Sequence, residues 1–364
     1  MLKSIADAIA VSDYKLAAQL LKPLLQQEPN NLWARFYAGR VYEGRGKHVQ
    51  AEQIYRQLLP KTSQPQLLSQ LRKGLARLEA IAAEQREQAL EQARAIPGGD
   101  RLGVLILEPV PNEQKTAIAR EFSQIVQLDP YTARLQLPSR GWRLYRTGRL
   151  GELNYFRQAF QAVNVPSFCY PLEAIEAIDV YEIEYFQTLE PEITVRCFNH
   201  SGQAGALAFH WTDIGQRIIG RLPVFESVVV VDARHKLQRK TQTQDFISIC
   251  DLHLPNRRCI LRLCERHYQF KQGVSLSPPQ STDPGETVSQ NWERLMTFLD
   301  RHLPSVPKHT EFDTFADSAL DFQEVLSRLK SRVHLERREE SLWDNAFQLY
   351  SGLTYYRHQT ALPI

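Results

Sequence analysis

The stretch that decides the reading runs from residue 31 to residue 60, NLWARFYAGRVYEGRGKHVQAEQIYRQLLP. Trp33, Ala38, Gly39 and Tyr42 recur at helical spacing, Gly46 marks a turn, and Ala51, Tyr55 and Leu58 continue the pattern on a second helix. Upstream, Asp13 and Tyr14 stand at a turn, followed by Ala17, Leu21 and Leu24 in phase and by Pro29; Asn30 and Asn31 then serve as turn and cap residues. Downstream, Leu68, Leu71, Leu75, Leu78 and Ala82 form one apolar stripe within 66–95. That stripe predicts a helix capping the two hairpins, because two helical repeats alone bury little apolar surface. Beyond Ala82 the helix turns polar, with Glu84, Arg86, Glu87, Glu91 and Arg94 as a solvated face.

This pattern resembles the tetratricopeptide family, whose period is about 34 residues. The resemblance implies that Gly39 and Ala51 lie where two helices approach closely, and that Tyr42 and Tyr55 fill the space beside them. Pro29 stands where the family ends a repeat; Pro60 comes early, a departure from the pattern. The implied work is binding other proteins, with Trp33, Arg35, Tyr42 and Arg45 as candidate contacts. The phrases LPSRGWRLYRTG (137–148), CDLHLP (250–255) and WDNAFQLYSGL (343–353) resemble a conserved, uncharacterised cyanobacterial family carrying such repeats. Roles in photosynthetic or signalling assemblies are what that second resemblance implies.

Pro97-Gly98-Gly99 breaks the chain, and the periodicity changes after it. Strands are expected over 102–107, 133–137, 142–146 and 165–170, with helices over 112–127 and 150–163. That order, β-α-β-β-α-β, predicts a ferredoxin-like unit. Arg134, Arg140, Arg143, Arg146 and Arg149 fall within a run free of acids, with Trp142 and Tyr145 among them. Arginines interleaved with aromatics suit a phosphate-rich, single-stranded nucleic-acid or acidic protein surface. An exposed hairpin whose arginines pair with distant carboxylates is the alternative.

From residue 176 the chain reads as strand-rich, with strands over 180–189, 192–198, 206–211, 226–231, 244–254 and 258–270. A short helix is expected over 212–219, and a closing helix carries Trp292, Leu295, Met296 and Leu299. In outline this resembles a pleckstrin-homology-like barrel, with no lipid binding inferred. Cys250-x-x-His253 and Cys264-x-x-His267 have spacings that can bind zinc. Both pairs fall in expected strands, where side chains three apart face opposite sides, so they read as core thiols and weak metal candidates. The tract Arg234-His235-Lys236 to Arg239-Lys240 is a second basic cluster, expected to be a solvated turn.

The tail holds an amphipathic helix over 312–333, then an aromatic stretch with Trp343, Phe347, Tyr350, Tyr355 and Tyr356. It is expected to pack on the chain's own domains; Trp343 and Tyr350 are the candidates for a docking surface instead. The whole reads as a multidomain α+β protein: 1–96 helical repeats with a capping helix, 100–175 ferredoxin-like, 176–305 β-rich, and 306–364 a helical extension. The net charge of +3 over 364 residues does not by itself point to nucleic acid or membrane. No apolar run is long enough to span a bilayer. Five cysteines in a chain of this length fit a reducing compartment, hence the cytoplasm, better than a disulfide scaffold. There is no GxxxxGK or GxGxxG phosphate loop and no expected cofactor. The function read from the sequence is a non-enzymatic adaptor or scaffold for other proteins. A nucleic-acid or nucleotide-binding regulator is the alternative, and an unrecognised enzyme the second.

Overall fold

The protein is described by a computed structural model covering residues 1–231, 237–276, 287–335 and 341–357, without the side chains of 226–242. The tract beginning at Arg234 therefore lies outside the described residues, as do the side chains of Arg239 and Lys240. The chain divides into two compact units, Met1–Gln92 and Ala93–Ile364.

The first unit is all helical: α1 (Leu2–Ala10), α2 (Tyr14–Gln27), α3 (Leu32–Gly44), α4 (His48–Leu58) and most of α5 (Pro65–Ala95). Local chemistry starts the helices. The Asp13 side chain accepts from the Leu16 amide at 2.9 Å, and that of Asn31 from the Ala34 amide at 3.0 Å, each satisfying an N-terminal amide that the helix itself leaves open. Gly46, at φ +72°, allows the turn into α4. The buried stripe of α5 is Leu67, Leu71, Gly74 and Leu78. It shares Leu71 and Leu78 with the expected one; Leu68 and Leu75 are half-buried flank residues and Ala82 is exposed. The stripe shifts because Gly74, which has no side chain to register as apolar, is a packing position.

The second unit opens with β1 (Leu102–Leu107), α6 (Asn112–Val126), α7 (Pro130–Gln136), β2 (Arg143–Arg149), α8 (Leu150–Ala162), β3 (Ser167–Pro171) and α9 (Leu172–Glu176). The three strands form an antiparallel sheet in the order β2-β1-β3. The ferredoxin-like arrangement is not formed, because the strand expected over 133–137 is the helix α7. Asp129 caps it, accepting from the amides of Tyr131 and Thr132 at 3.0 Å each, and Pro130 occupies its first turn. Ala133 and Leu137 are buried four apart, while Leu135 between them is 60% exposed, so the apparent alternation is a helical face.

The larger sheet comprises β4 (Asp179–Thr188), β5 (Ile193–Phe198), β6 (Ala204–Phe209), β7 (Gln216–Val231), β8 (Leu237–Leu254), β9 (Cys259–Cys264) and β10 (Lys308–His309). Its order is β10-β7-β8-β9-β4-β5-β6, with parallel pairing at β4·β9 and β10·β7. With β10 and β6 at its edges it is one open sheet, which replaces the expected barrel. The helix expected over 212–219 is instead a single 3-10 turn followed by β7. The remaining helices are α10 (Val288–His302), α11 (Phe312–Ala319), α12 (Gln323–Leu326) and α13 (Leu342–Arg357). Segments expected as separate domains share one core. Val104, Ile106, Leu144 and Phe168 pack with Ile218, Leu222 and Ile249 and with Phe312, Phe315, Phe347 and Leu353. A second core, with Phe186, Val195, Leu252 and Leu261, lies under Trp292, Leu295 and Leu299 of α10.

Candidate functional site

The repeat unit is organised around Tyr55, which is fully buried. A Cβ on Gly39 of α3 would sit 2.5 Å from its ring, and one on Gly74 of α5 would sit 2.7 Å away. Tyr55 thus fills a slot that only glycines on both neighbours leave open. Its hydroxyl donates to a Glu43 carboxylate oxygen at 2.7 Å, and Arg77 of α5 donates to both Glu43 oxygens at 2.7 and 3.1 Å. Three helices meet in one hydrogen-bonded network. Burial pushes the Glu43 carboxyl up, but the hydrogen bonds from Arg77 and Tyr55 and the charges of Arg77 and Arg40 outweigh it, leaving the group below its usual range.

The candidate contacts on this unit divide. Tyr42 is 38% exposed, so it does not fill the gap beside Gly39 and presents its ring at the surface. Trp33 is half-buried against Phe36 and Tyr37, and its indole donates to Gln64 Oε1 at 3.1 Å. Arg35 donates to Gln57 at 3.2 Å and Arg45 to the Tyr14 carbonyl at 3.1 Å, so both also hold helices together. Val11, Leu16 and Val49 are exposed apolar side chains that the sequence reading had not selected.

The arginine-rich segment is split by β2. Trp142 packs edge-on against Phe168 and Tyr350, on the side of the main core. Tyr145 meets Phe122 of α6 and Phe160 of α8, and Arg146 lies over the Phe156 ring at 4.2 Å. A register irregularity opposite Leu105/Ile106 lets these consecutive residues both reach α8. Both aromatics are therefore engaged inside the chain and offer no open stacking platform. Arg134, Arg140 and Arg149 are exposed and Arg143 half-buried. None of these four has an ion pair among the described residues.

The tail residues turn inward. Tyr350 is 3% exposed, which removes it as a docking residue, and Trp343 packs on Phe312. Helix α13 is buried from Ala346 to Tyr355, with no exposed face along that stretch. Its aromatic residues are core because both flanks are covered.

The zinc-like pairs do not converge either. Cys250 and Cys264 are buried thiols, pushed by burial up to about 12 and about 11. His253 belongs to a buried chain of donors. Gln216 donates to the Thr354 carbonyl and to His253 Nδ1, His253 Nε2 lies 2.9 Å from Ser351 Oγ, and Ser351 donates to Asp251 at 2.6 Å. Arg262 closes the chain with a two-pronged pair to Asp251 at 2.8 and 2.7 Å. Serine, histidine and aspartate meet here, yet the serine gives its proton to the aspartate, and His253 spends its proton on the serine. That polarity is opposite to nucleophile activation. His267 instead pairs with Glu182, which also holds His334 at 3.3 Å, at a cleft of about 260 Å³ lined by Glu184, Phe198 and Asn199. No group of three metal-ligating side chains among the described residues is arranged to hold an ion.

Helical hairpins whose packing turns on facing small residues and an interposed tyrosine define a repeat protein over the first unit. Residues 8–74 match the family model described as Tetratricopeptide repeat, and the chain is a tetratricopeptide-repeat protein over that stretch. No curated protein and no solved structure matches the chain. The match concerns the repeats alone and lends no support to the resemblance to a cyanobacterial family. No helix among the described residues is long and apolar enough to cross a membrane.

Proposed function

We propose that the protein is a non-enzymatic adaptor that holds another protein on its repeat unit and uses the basic surface around α7 and β2 as a second contact. The observation that supports it most is the rigid repeat unit itself. Its helices are locked by the Tyr55–Glu43–Arg77 network while Tyr42 and Val49 stay exposed, 38% and 65%. Repeats of this family generally mediate protein–protein interaction, and an exposed aromatic on a rigid scaffold is the usual form of an interface anchor. The free, buried cysteines fit a reducing compartment, so the cytoplasm is the proposed location.

The test is affinity capture with the intact chain, with a chain lacking residues 1–92, and with a Tyr42→Glu/Val49→Glu double variant. A partner retained by the intact chain and lost from both variants supports the reading. An unchanged partner set on the truncated chain sinks it. The nucleic-acid reading loses its stacking component, since Trp142 and Tyr145 pack internally.

A further inference from the structure

A free sheet edge offers a row of unpaired amides and carbonyls to any other strand, and proteins blunt such edges with charge, proline, bulges or short length. Three of the four edges in this chain are blunted. β10 is two residues long and carries Lys308; β2 carries Arg143, Arg146 and Arg149; β3 ends at Pro171. The fourth, β6, reads AGALAF, with no charged residue and no proline. It pairs with β5 from Ala204 to Phe209 without a bulge, and among the described residues no other strand pairs with it.

The register says which groups are open. The Asn199 amide donates to the Gln203 carbonyl at 3.0 Å, closing the hairpin next to the Phe198/Ala204 pair. Bonded and non-bonded pairs alternate along an antiparallel ladder. Gly205, Leu207 and Phe209 therefore bond to β5, while Ala204, Ala206 and Ala208 turn both main-chain groups outward. The chain seals its own backbone at either end of this row. Asn199 Oδ1 accepts from the Ser201 and Gln203 amides at 2.9 Å each, and an Asp213 carboxylate oxygen accepts from the His210 amide at 2.9 Å. Between these ends, Ala204 and Ala206 are exposed and Ala208 is half-buried.

The side chains decide what fits there. Antiparallel pairing with β6 of a second copy, about an axis through Ala206, sets Ala204 opposite Ala208 and Ala206 opposite its own equivalent. Every outward amide then meets an outward carbonyl. The same register brings Leu207 beside Gly205 of the other copy, on the face that carries the core. A Cβ on Gly205 would meet nothing within 4 Å, so that position is a gap, and Leu207 is only half-buried. Each copy thus supplies the leucine that fills the other's gap. No like charges meet along the strand, since β6 has none.

We propose that β6 is a self-association edge, at which two copies of the chain pair antiparallel about Ala206 and join their larger sheets. The contact is one strand wide, well below the roughly 800 Å² per partner of a standard stable interface, so the dimer is weak and concentration-dependent. It carries two repeat units, which raises avidity for a partner with two sites without any new contact.

The experiment is sedimentation velocity of the full chain from about 5 to 500 µM, where a monomer–dimer equilibrium with a dissociation constant of about 10–500 µM is expected. Hydrogen exchange of the Ala204, Ala206 and Ala208 amides should be free in the dilute chain and slow about twofold or more at the top of that range. Ala206→Pro removes an outward amide that takes no part in the β5 ladder. It should weaken the dimer about tenfold or more while circular dichroism shows the chain folded. Ala204→Lys/Ala208→Lys sets like charges opposite each other and should weaken the dimer similarly, whereas Ala204→Lys/Ala208→Glu sets opposite charges there and should preserve it. A chain that stays monomeric throughout overturns the proposal. So does protection of these amides in the dilute chain, which would mean that another segment of the chain covers the edge. Association that Ala206→Pro leaves unchanged belongs to another surface, and equal loss in the two double variants refutes the register; either result overturns the proposal. Self-association is read from the isolated chain, so its failure leaves capture by the repeat unit standing, and failed capture leaves the β6 pairing standing.

Discussion

Tyr55 shows how one side chain can decide whether two hairpins are a scaffold. Its ring is held between Gly39 and Gly74, and its hydroxyl reaches a carboxylate whose other donor is Arg77 on α5. Tyr55→Phe keeps the ring and removes one donor to a charged acceptor, so it should cost the repeat unit about 1.5–3 kcal/mol in denaturant unfolding. Gly39→Leu, which drives a branched side chain into that ring, should be worse than Tyr55→Phe. The network also sets an acid limit. The folded Glu43 carboxyl titrates below its unfolded value. Its contribution is therefore fully present above the ordinary glutamate range and is lost as pH falls through the folded value. Helical signal from the isolated repeat unit, followed in urea between about pH 5 and pH 3, should show stability falling with acid. Glu43→Gln should flatten that fall; an identical slope in the variant would mean other carboxylates carry it. Of this network the sequence displayed Gly39 and Tyr55, because spacing reports them, but not Gly74, which interrupts the apolar stripe of α5. Glu43 and Arg77 stand 34 residues apart, and nothing local ties them.

At the scale of elements, the outcome depended on which period a short apolar run obeys. Ala133, Leu135 and Leu137 alternate like a strand, yet Asp129 and Pro130 start a helix and only two of the three are buried. The Asp129-Pro130 start, which the reading of 133–137 as a strand passed over, outweighs the alternation. Helix α13 is the opposite case: its aromatics signalled burial, and burial is what they have. What spacing could not show is that α13 is enclosed on more than one side. Gly352 marks the tightest approach, where a Cβ would stand 2.4 Å from Ile175 on α9. Gly352→Leu should therefore lower the stability of the second unit by about 1–3 kcal/mol, read from its thermal transition. An unchanged transition would mean that α9 moves aside at no cost.

At the scale of the larger unit, the three domains expected after residue 100 are one body because their contacts are remote in sequence. The Leu144 amide donates to Ser318, Tyr356 donates to the Ala174 carbonyl, and Arg357 grips Glu108 through two hydrogen bonds of 2.9 Å. Arg262 and Asp251, only 1% and 0% exposed, tie β9 and β8 to each other, while Arg262 also reaches Gln348 on α13 and the carbonyls of Ser331 and Arg332. Periodicity has no access to pairs so far apart, which is why each stretch looked self-sufficient. A shared core predicts shared failure. Phe347 touches Phe312 and faces Gly220 of β7, within the cluster that also holds Val104 and Ile106 of β1. Phe347→Ala should cost about 3–5 kcal/mol, and hydrogen exchange should then show β1, β7 and α13 losing protection together. If α13 opens while β1–β3 keeps its full protection, the small sheet stands alone and the sequence boundary near residue 175 is a physical one.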